Sequence, residues 1–470
     1  MLRLLFPEVP VHVHPSPKDD LAARVNRAAA RVVKGAVSWY RALRLWSGGA
    51  SPRVLVVSRA NAWDGVRDRE MASTLDALRA EGMEPLVLEQ SHGTFAGQWR
   101  GLWERPASHL FGDLFHLQYR IHGPRSMPMR QPISHVPLMF EGIDLRPLAE
   151  AFVTAQAEHQ AREHDTYLQV LPNWLRRWGV SVVVTCDENG GEHALKAAAL
   201  LAGVPVIAVQ HGCIHAHHLH YAYPQHCTPE DIPLASITCV YGEHEQGLLA
   251  ALGIYASESI EVTGQPQNDL RDHVERPWGE RGAAGTRLRD DAMQDTGGTL
   301  LLLTSQDLYH GLAAEVLLPA LQACPDSVKL VVRPHPREGD GAHWQDYFAT
   351  YGVSERAVVV ANGKLEYWLD ACDVHVSVCS TVLAEAAVWG RPSLVLAPRA
   401  VGDWLGVLEA GVAIPFDQGA DLQTALADVD AATSAFQVAR SNYIQRHFGA
   451  LDGKTGRRIA AIIRHSISIS

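Results

Sequence analysis

Short, mostly apolar runs alternate along this chain with stretches in which apolar residues return every three or four positions. The runs at 54–58, 85–88, 180–185, 204–209, 237–241 and 260–263 are rich in β-branched residues, as strands buried on both faces are. Helical patterns lie between them. One runs to about residue 80 and stops at Gly82, one covers 147–178 and ends at Gly179, and one covers 192–201 with Gly203 as its stop. A second series has strands at 299–304, 328–333, 357–360, 374–378 and 393–396, with helices near 311–323 and 382–389. A helical tail over 433–465 is broken around 449–453. Alternating β and α units imply parallel sheets, so two such series imply two Rossmann-like domains. No GxGxxG follows the first strand, and a dinucleotide site is not supported.

The polar pattern sets the boundaries. Residues 1–50 read as a proline-rich arm followed by a basic helix over 21–47, and 51–270 as the first α/β domain. Residues 271–298 are charged and glycine-containing, include Pro277, and read as an interdomain linker. The second α/β domain is 299–450, and 451–470 is a last helix that can cross back. Residues 100–150 hold many aromatic and proline residues and give no clear period. The 21–47 helix carries Arg24, Arg27, Arg31, Lys34, Arg41 and Arg44 and no acid. Such a helix can lie on an anionic membrane surface. The plainer reading, which we favour, packs it on its own domain with a solvated arginine face.

Composition narrows the classes. The 470 residues are 47% apolar and 20% charged, as in ordinary globular proteins, and long enough for two or three cores. The net charge of −11 does not suit a nucleic-acid binder. Seven cysteines, an odd number with no CxxC, fit a reducing cytoplasm better than a disulfide framework. No signal peptide and no apolar run of membrane-spanning length is visible.

Candidate chemistry gathers at strand ends, where open α/β sheets bind ligands. Gln210-His211-Gly212 ends the 204–209 run, and Arg333-Pro334-His335-Pro336 ends the 328–333 run. The flanking prolines fix the backbone of His335, whose ring can donate to a phosphate or protonate a leaving group. Arg333 can add charge. Ser380 or Thr381 caps the next helix, whose start suits phosphate, with Glu385 a turn further in, within reach of a ribose. The plain alternative is an ordinary cap and a surface glutamate. Asp187 and Glu188, before Gly190-Gly191, put two carboxylates at a rim. Either can serve as a general base, with Asp187 first, Glu188 second and His211 third, and either Asp187 or Asn189 can equally be an N-cap. The histidines from His211 to His220, with His226 and Cys227, are irregularly spaced for a zinc site and read as substrate-lining or solvated groups.

Gln210-His211-Gly212, Arg333-Pro334-His335-Pro336 and Ser380-Thr381…Glu385…Gly390-Arg391-Pro392 together resemble bacterial surface-polysaccharide glycosyltransferases of GT-B fold. That group includes capsule-type Kdo transferases, polysialyltransferases and CDP-glycerol glycerophosphotransferases. Ile260–Pro266 resembles the strand and turn that lead into the GT-B linker, and Asp452-Gly453-Lys454…Arg457-Arg458-Ile459 resembles the end of such chains. The resemblance covers about 180–460, and Cys379 departs from it, standing where many relatives have serine. It implies two Rossmann-like domains facing a central cleft, with the donor nucleotide on the second. It implies His335 at the donor phosphate, Ser380 and Thr381 at phosphate oxygens, Glu385 at the ribose and His211 on the acceptor side.

The expectation is a cytoplasmic, metal-independent transferase without a cofactor. It takes a nucleotide-sugar donor, CMP- or CDP-activated, and a glycan or lipid-linked acceptor, with inversion at the anomeric carbon, and the 21–47 helix is the one place for a peripheral contact at the inner membrane if the less favoured reading of that helix holds. The nearest alternative is a UDP-sugar glycosyltransferase or UDP-sugar 2-epimerase. A further one is a non-catalytic nucleotide-binding protein of the same fold, against which stand the ionisable groups at both rims.

Overall fold

The computed structural model describes residues 21–46, 53–59, 62–64, 67–90, 102, 105–106, 108–122, 139–140, 143–144, 164–186, 190–216, 218, 220–223, 227–270, 281–294, 297–402 and 405–469. It divides into two compact units, one from Asp19–Leu270 with Asp452–Ser470, the other from Arg271–Leu451.

The first unit opens with α1 (Leu21–Trp46). Strand β1 (Arg53–Arg59) leads through a small hairpin, β2 (Trp63–Asp64) and β3 (Arg67–Asp68), to α2 (Ala72–Ala80). Then come β4 (Pro85–Gln90), β5 (His109–Phe111), α3 (Asp113–His122) and a second hairpin, β6 (Met139–Phe140) and β7 (Ile143–Asp144). Helix α4 covers 164–178. It is followed by β8 (Val180–Thr185), α5 (Gly190–Leu201), β9 (Val206–Val209), β10 (Ile237–Val240), α6 (Glu243–Ala251) and β11 (Ile260–Val262). The strands pair in parallel in the order β11-β10-β9-β8-β1-β4-β5.

Both faces of this sheet are covered, which is why its strands read as continuous apolar runs. Leu55, Val57, Leu86, Leu88 and Val183 pack with Phe115, Trp174 and Leu195 on one face. Val54, Val56, Val87, Val182 and Ile207 pack on the other with Leu75 and Leu78 of α2 and with Ile459, Ala460 and Ile463. Each buried Val, Leu, Ile or Phe here contributes roughly 1.5–3 kcal/mol by burial. The last three belong to a terminal helix, Thr455–Ile469, which packs closely on α2. A Cβ on Gly456 would lie 2.3 Å from Ser73 O. Asp269 caps that helix through the amides of Thr455 (3.0 Å) and Gly456 (2.7 Å). Arg458 donates to Thr263 O at 2.6 Å. The two sequence motifs at 260–266 and 452–459 therefore hold each other.

Helix α1 packs on its own unit. Ala30, Lys34, Ser38 and Ala42, one turn apart, are buried. Ser38 Oγ accepts from Phe111 N at 2.8 Å, and Arg41 donates to His109 O at 2.9 Å. Burial pulls the Lys34 ammonium pKa down, against the opposing pull of Glu89 and Asp113. The outer face differs from the expected arginine face. It exposes Arg31 and Arg44, and with them Val25 (59%), Val32 (55%), Trp39 (52%) and Tyr40 (58%). Among the described residues no helix is long and apolar enough to cross a membrane.

The second unit begins with α7 (Ala283–Met293), β12 (Thr299–Thr304), α8 (His310–Gln322), β13 (Val328–Arg333), α9 (His343–Thr350), β14 (Ala357–Val359) and α10 (Leu365–Ala371). It continues with β15 (Val374–Ser377), α11 (Val382–Val388), β16 (Ser393–Leu396), β17 (Ala413–Phe416), α12 (Leu422–Ala431) and α13 (Thr433–Phe448). Its parallel order is β14-β13-β12-β15-β16-β17. In sequence rank that is 3-2-1-4-5-6, the Rossmann order, whose switch point lies between the first and fourth strands.

The segment 271–298 is not linker throughout. Its part within the described residues holds α7, whose Met293, with Leu288 and Ala292, packs on Leu300, Leu302 and Trp368. Gly282 N donates to Asp370 Oδ2 at 2.8 Å, and Arg281 pairs with Asp373. A Cβ on Gly285 would meet Asp370 Oδ2 at 2.4 Å. The pattern is masked because α7 buries so few side chains, and close backbone approach at glycine replaces apolar periodicity.

Candidate functional site

In the second unit three adjacent strands, β13, β12 and β15, end at one rim. Gln306, two residues past β12, accepts from Cys379 N at 3.1 Å and from Cys379 Sγ at 3.2 Å, bridging the switch point. Burial pushes the Cys379 thiol pKa up and the Gln306 bond opposes it, so this cysteine is a neutral donor here. Next to them, His335 is extended (φ −64°, ψ 147°) and its Nδ1 accepts from Arg337 N at 3.2 Å. A ring nitrogen that accepts carries no proton, so Nε2 holds it and is a donor. Glu338, three residues on, accepts His335 N at 2.8 Å and closes a capping box.

Ser380 Oγ accepts from Val382 N at 3.3 Å, and the amides of Leu383, Ala384 and Glu385 close on the carbonyls of Ser380 and Thr381. Thr381 is the cap residue and is exposed, and Glu385 is half-buried. The Ser380 hydroxyl keeps its own proton for donation. Arg333 differs from the reading that gave it to a phosphate. Its guanidinium donates to Val360 O (3.0 Å), Asn362 O (2.7 Å) and Gly363 O (2.7 Å), pinning the loop after β14. Arg391 is similarly spent: it is buried and donates to Leu369 O and Asp370 O.

In the first unit the rank order is also 3-2-1-4-5-6, with a seventh strand at the end, and the switch point lies between β1 and β8. Arg59 ends β1. It pairs bidentately with Glu70 and donates from Nη1 to His211 Nε2 at 2.9 Å, across the end of β8. Arginine only donates, so His211 accepts at Nε2 and carries its proton on Nδ1. Gln210 is buried and committed to scaffold: its Nε2 donates to Gly212 O (2.7 Å), and its Oε1 accepts from Tyr241 N (2.8 Å). Asp68 shapes the loop before Glu70 by accepting Ser58 Oγ and the amides of Glu70 (2.7 Å) and Met71 (3.0 Å). Burial raises its pKa, against those bonds. Asp187, Glu188 and Asn189 lie outside the described residues, between Cys186 at the end of β8 and α5, which starts at Gly190.

The histidine loop holds ring contacts, His215–His218 (5.3 Å) and His218–His220 (5.0 Å), with His193 Nε2 3.0 Å from Tyr223 Oη. His217 and His226 lie outside the described residues. Among the described residues no group of three or more His, Cys, Asp or Glu is arranged to hold a metal ion.

Sequence reasoning missed Gln306, Glu338, Arg59 and Glu70. Glu338 sits at capping-box spacing from His335, which was a readable signal. Arg59 was readable as the charged end of an apolar run. Nothing in the sequence marks Gln306 or Glu70.

Two Rossmann-like units with parallel sheets of this order define a GT-B fold. Solved structures with this fold include UDP-N-acetylglucosamine 2-epimerases. The S. aureus MnaA–UDP structure has TM-score 0.55 and 15% identity, covering 89% of this chain and 98% of that one. A second UDP-N-acetylglucosamine 2-epimerase has TM-score 0.55 and 14% identity, covering 90% and 98%. The Neisseria meningitidis UDP-GlcNAc 2-epimerase bound to UDP-GlcNAc has TM-score 0.52 and 13% identity, covering 89% and 100%. No protein-family model and no curated protein matches the sequence. At these identities the likeness concerns the fold. The resemblance read from the sequence is carried as far as GT-B, and not to the CMP- and CDP-using capsule group.

Proposed function

We propose that this protein is a nucleotide-sugar enzyme of GT-B fold and that its substrate is a UDP-sugar, not the CMP- or CDP-activated donor expected from sequence. One observation carries the reading: β13, β12 and β15 end side by side at a Rossmann switch point, with an Nε2–H donor on His335 and hydroxyls on Ser380 and Thr381. A diphosphate needs donors of this kind, and Glu385, one turn into the next helix, is the acid proposed to meet the ribose. The solved neighbours that hold UDP or UDP-GlcNAc support uridine over cytidine. The nucleotide-sugar is a substrate and no resident cofactor is invoked. His335 and the rim hydroxyls would take the charge of the leaving diphosphate. Asp187 or Glu188 would supply the base.

Two fates of the sugar remain, each favoured by its own observation. The fold neighbours favour 2-epimerisation, which needs no acceptor. The exposed face of α1 favours transfer to a glycan or lipid-linked acceptor at the cytoplasmic side of the inner membrane. Arg31 and Arg44 beside Val25, Val32 and Trp39 suit an anionic lipid surface. Calorimetry with UDP, CDP, CMP and GDP tests the nucleotide: UDP should bind best, and binding of CMP or CDP alone would overturn the uridine reading. Product analysis with UDP-GlcNAc then separates the fates. A C2 epimer formed without acceptor marks the epimerase, and UDP release that depends on added lipid-linked glycan marks the transferase. Sedimentation with phosphatidylserine vesicles, lost in Trp39→Asp, checks the α1 contact, and equal binding to neutral vesicles would remove the electrostatic part.

A further inference from the structure

Glu338 closes the capping box of His335, and it is also the meeting point of three elements. Its side chain is 2% exposed, and its two oxygens accept from four donors on three elements. Oε1 accepts from His335 N at 2.8 Å. Oε2 accepts from Ser305 Oγ (2.9 Å), His343 Nε2 (3.1 Å) and Trp344 Nε1 (3.2 Å). Ser305 follows β12, His335 follows β13, and His343 and Trp344 begin α9. A buried carboxylate is costly unless its lone pairs are filled, and here donors alone fill them. Ser305 N also donates to Arg333 O at 2.9 Å, so the ends of β12 and β13 are tied by backbone and by this one side chain. With its backbone held by Glu338 and its Nδ1 held by Arg337 N, His335 has one ring nitrogen left to offer.

We propose that Glu338 is a positioning residue. It holds the turn after β13 so that the His335 ring stays in the Nε2–H tautomer and donates to a diphosphate oxygen of the substrate. The ligand half of this statement rests on the UDP-sugar reading of the rim, and the ring's state rests on geometry alone. The competing role is a scaffold acid that only joins α9 to the sheet.

The test uses the full chain, wild type, Glu338→Ala, Glu338→Gln, His335→Ala and the double variant Glu338→Ala/His335→Ala, each checked for folding by circular dichroism. Nitrogen-15 spectra of labelled histidines, with His335 identified by its loss in His335→Ala, report the tautomer without any nucleotide. Wild type should show the Nε2–H form, and Glu338→Ala should shift the ring toward a mixture. An unchanged ring in folded Glu338→Ala would overturn the proposal. If Glu338→Ala does not fold, Glu338→Gln carries the same readout, since its amide must face Trp344 or another donor and should displace the turn in part. Calorimetry with UDP and with uridine adds a second arm. Glu338→Ala should weaken UDP by about tenfold or more, as for a lost hydrogen bond to a charged group, and leave uridine unchanged. The double variant should be no worse than His335→Ala, because Glu338 acts through that ring. Equal weakening of UDP and uridine, or effects that multiply, would point to the scaffold role and sink the proposal. A wild type that binds no UDP yet keeps the Nε2–H ring overturns the nucleotide reading while the positioning geometry stands.

Discussion

The two units present the same motif, a histidine just past a buried parallel strand, and use it in opposite ways. His335 accepts on Nδ1 from a backbone amide, which leaves Nε2–H as a donor. His211 accepts on Nε2 from Arg59, which leaves the proton on Nδ1. The acids behind them are opposite too. Glu338 is buried and receives only donors, whereas Glu70 is partly exposed and holds a cation. The second unit's rim therefore offers ring N–H and hydroxyl donors, suited to a phosphate chain, while the Arg333 cation at its strand end is spent on loop carbonyls. The first unit's rim carries the Arg59 cation at its switch point. Identical local sequence logic gives two chemistries because the rings have different partners: a backbone amide two residues away for His335, and a side chain 152 residues away for His211.

The largest expected effect would break this comparison at the first unit. If Asp187 is the base, Asp187→Asn should lower turnover by about 10²–10⁴-fold with UDP affinity unchanged, and if it is only an N-cap, Asn caps as well and turnover holds. Steady-state kinetics on Asp187→Asn and Glu188→Gln decide it, and full activity in both would remove the carboxylates from the mechanism. Next in size is the contrast between the histidines. His335→Ala should cost about 10²-fold in turnover, the usual loss for one donor to developing charge. His211→Ala should cost less, roughly tenfold, because Arg59 keeps its cation on Glu70. Equal losses measured in kcat would show that the two rings share one role.

Much of this was legible because both sheets are buried on both faces. Strands at 180–185, 299–304, 328–333 and 393–396 coincide with β8, β12, β13 and β16 residue for residue. Apolar runs cannot hide when no side of the strand faces water. Helix α7 was lost for the opposite reason: it buries Met293 and a glycine, and its pattern looks polar. Helices α9 and α12 were missed because each buries only a narrow stripe, and α10 because seven residues are too few to show a period. At the site, motifs bound to a strand end were found, and residues whose meaning depends on a distant partner were not. Arg333 looks like a phosphate ligand in sequence and turns out to hold three carbonyls of a loop about thirty residues away. Gln306 looks like nothing and turns out to bridge the switch point.

A stability measurement sharpens the difference between the units. His375 lies wholly buried in β15, between Thr304 Oγ1 (2.8 Å) and Ser393 Oγ (3.0 Å), and burial lowers its pKa to about 3. The unfolded chain binds this proton below about pH 6.5 and the folded chain does not until about pH 3. Protonation therefore favours unfolding, and stability present above pH 6.5 is lost as pH falls toward 3, by up to about 1.4 kcal/mol per pH unit. Denaturant titrations of wild type and His375→Gln from pH 7 to pH 4 isolate the term, since the carboxylate background is common to both. Parallel slopes would show that His375 is not the group responsible.

The smallest expected effect concerns Cys379, where the resembled family usually has serine. The thiol is not a ligand in waiting, because its Sγ is bonded to Gln306 Oε1 and burial keeps it protonated. A serine hydroxyl donates the same bond at shorter reach. Cys379→Ser should therefore change UDP affinity by no more than about twofold, within the scatter of a conserved hydrogen bond. Gln306→Ala removes the acceptor for both the Cys379 amide and its thiol, and should cost more, about tenfold in UDP affinity. Calorimetry on the pair tests whether the bridge or the side chain at 379 matters. If Cys379→Ser tightens UDP strongly, the hydroxyl reaches the nucleotide directly and the Gln306 bridge is incidental. If Gln306→Ala is silent, the switch point of the second unit does not carry the diphosphate, and the contrast between a donor-lined rim and a cationic rim must be drawn elsewhere.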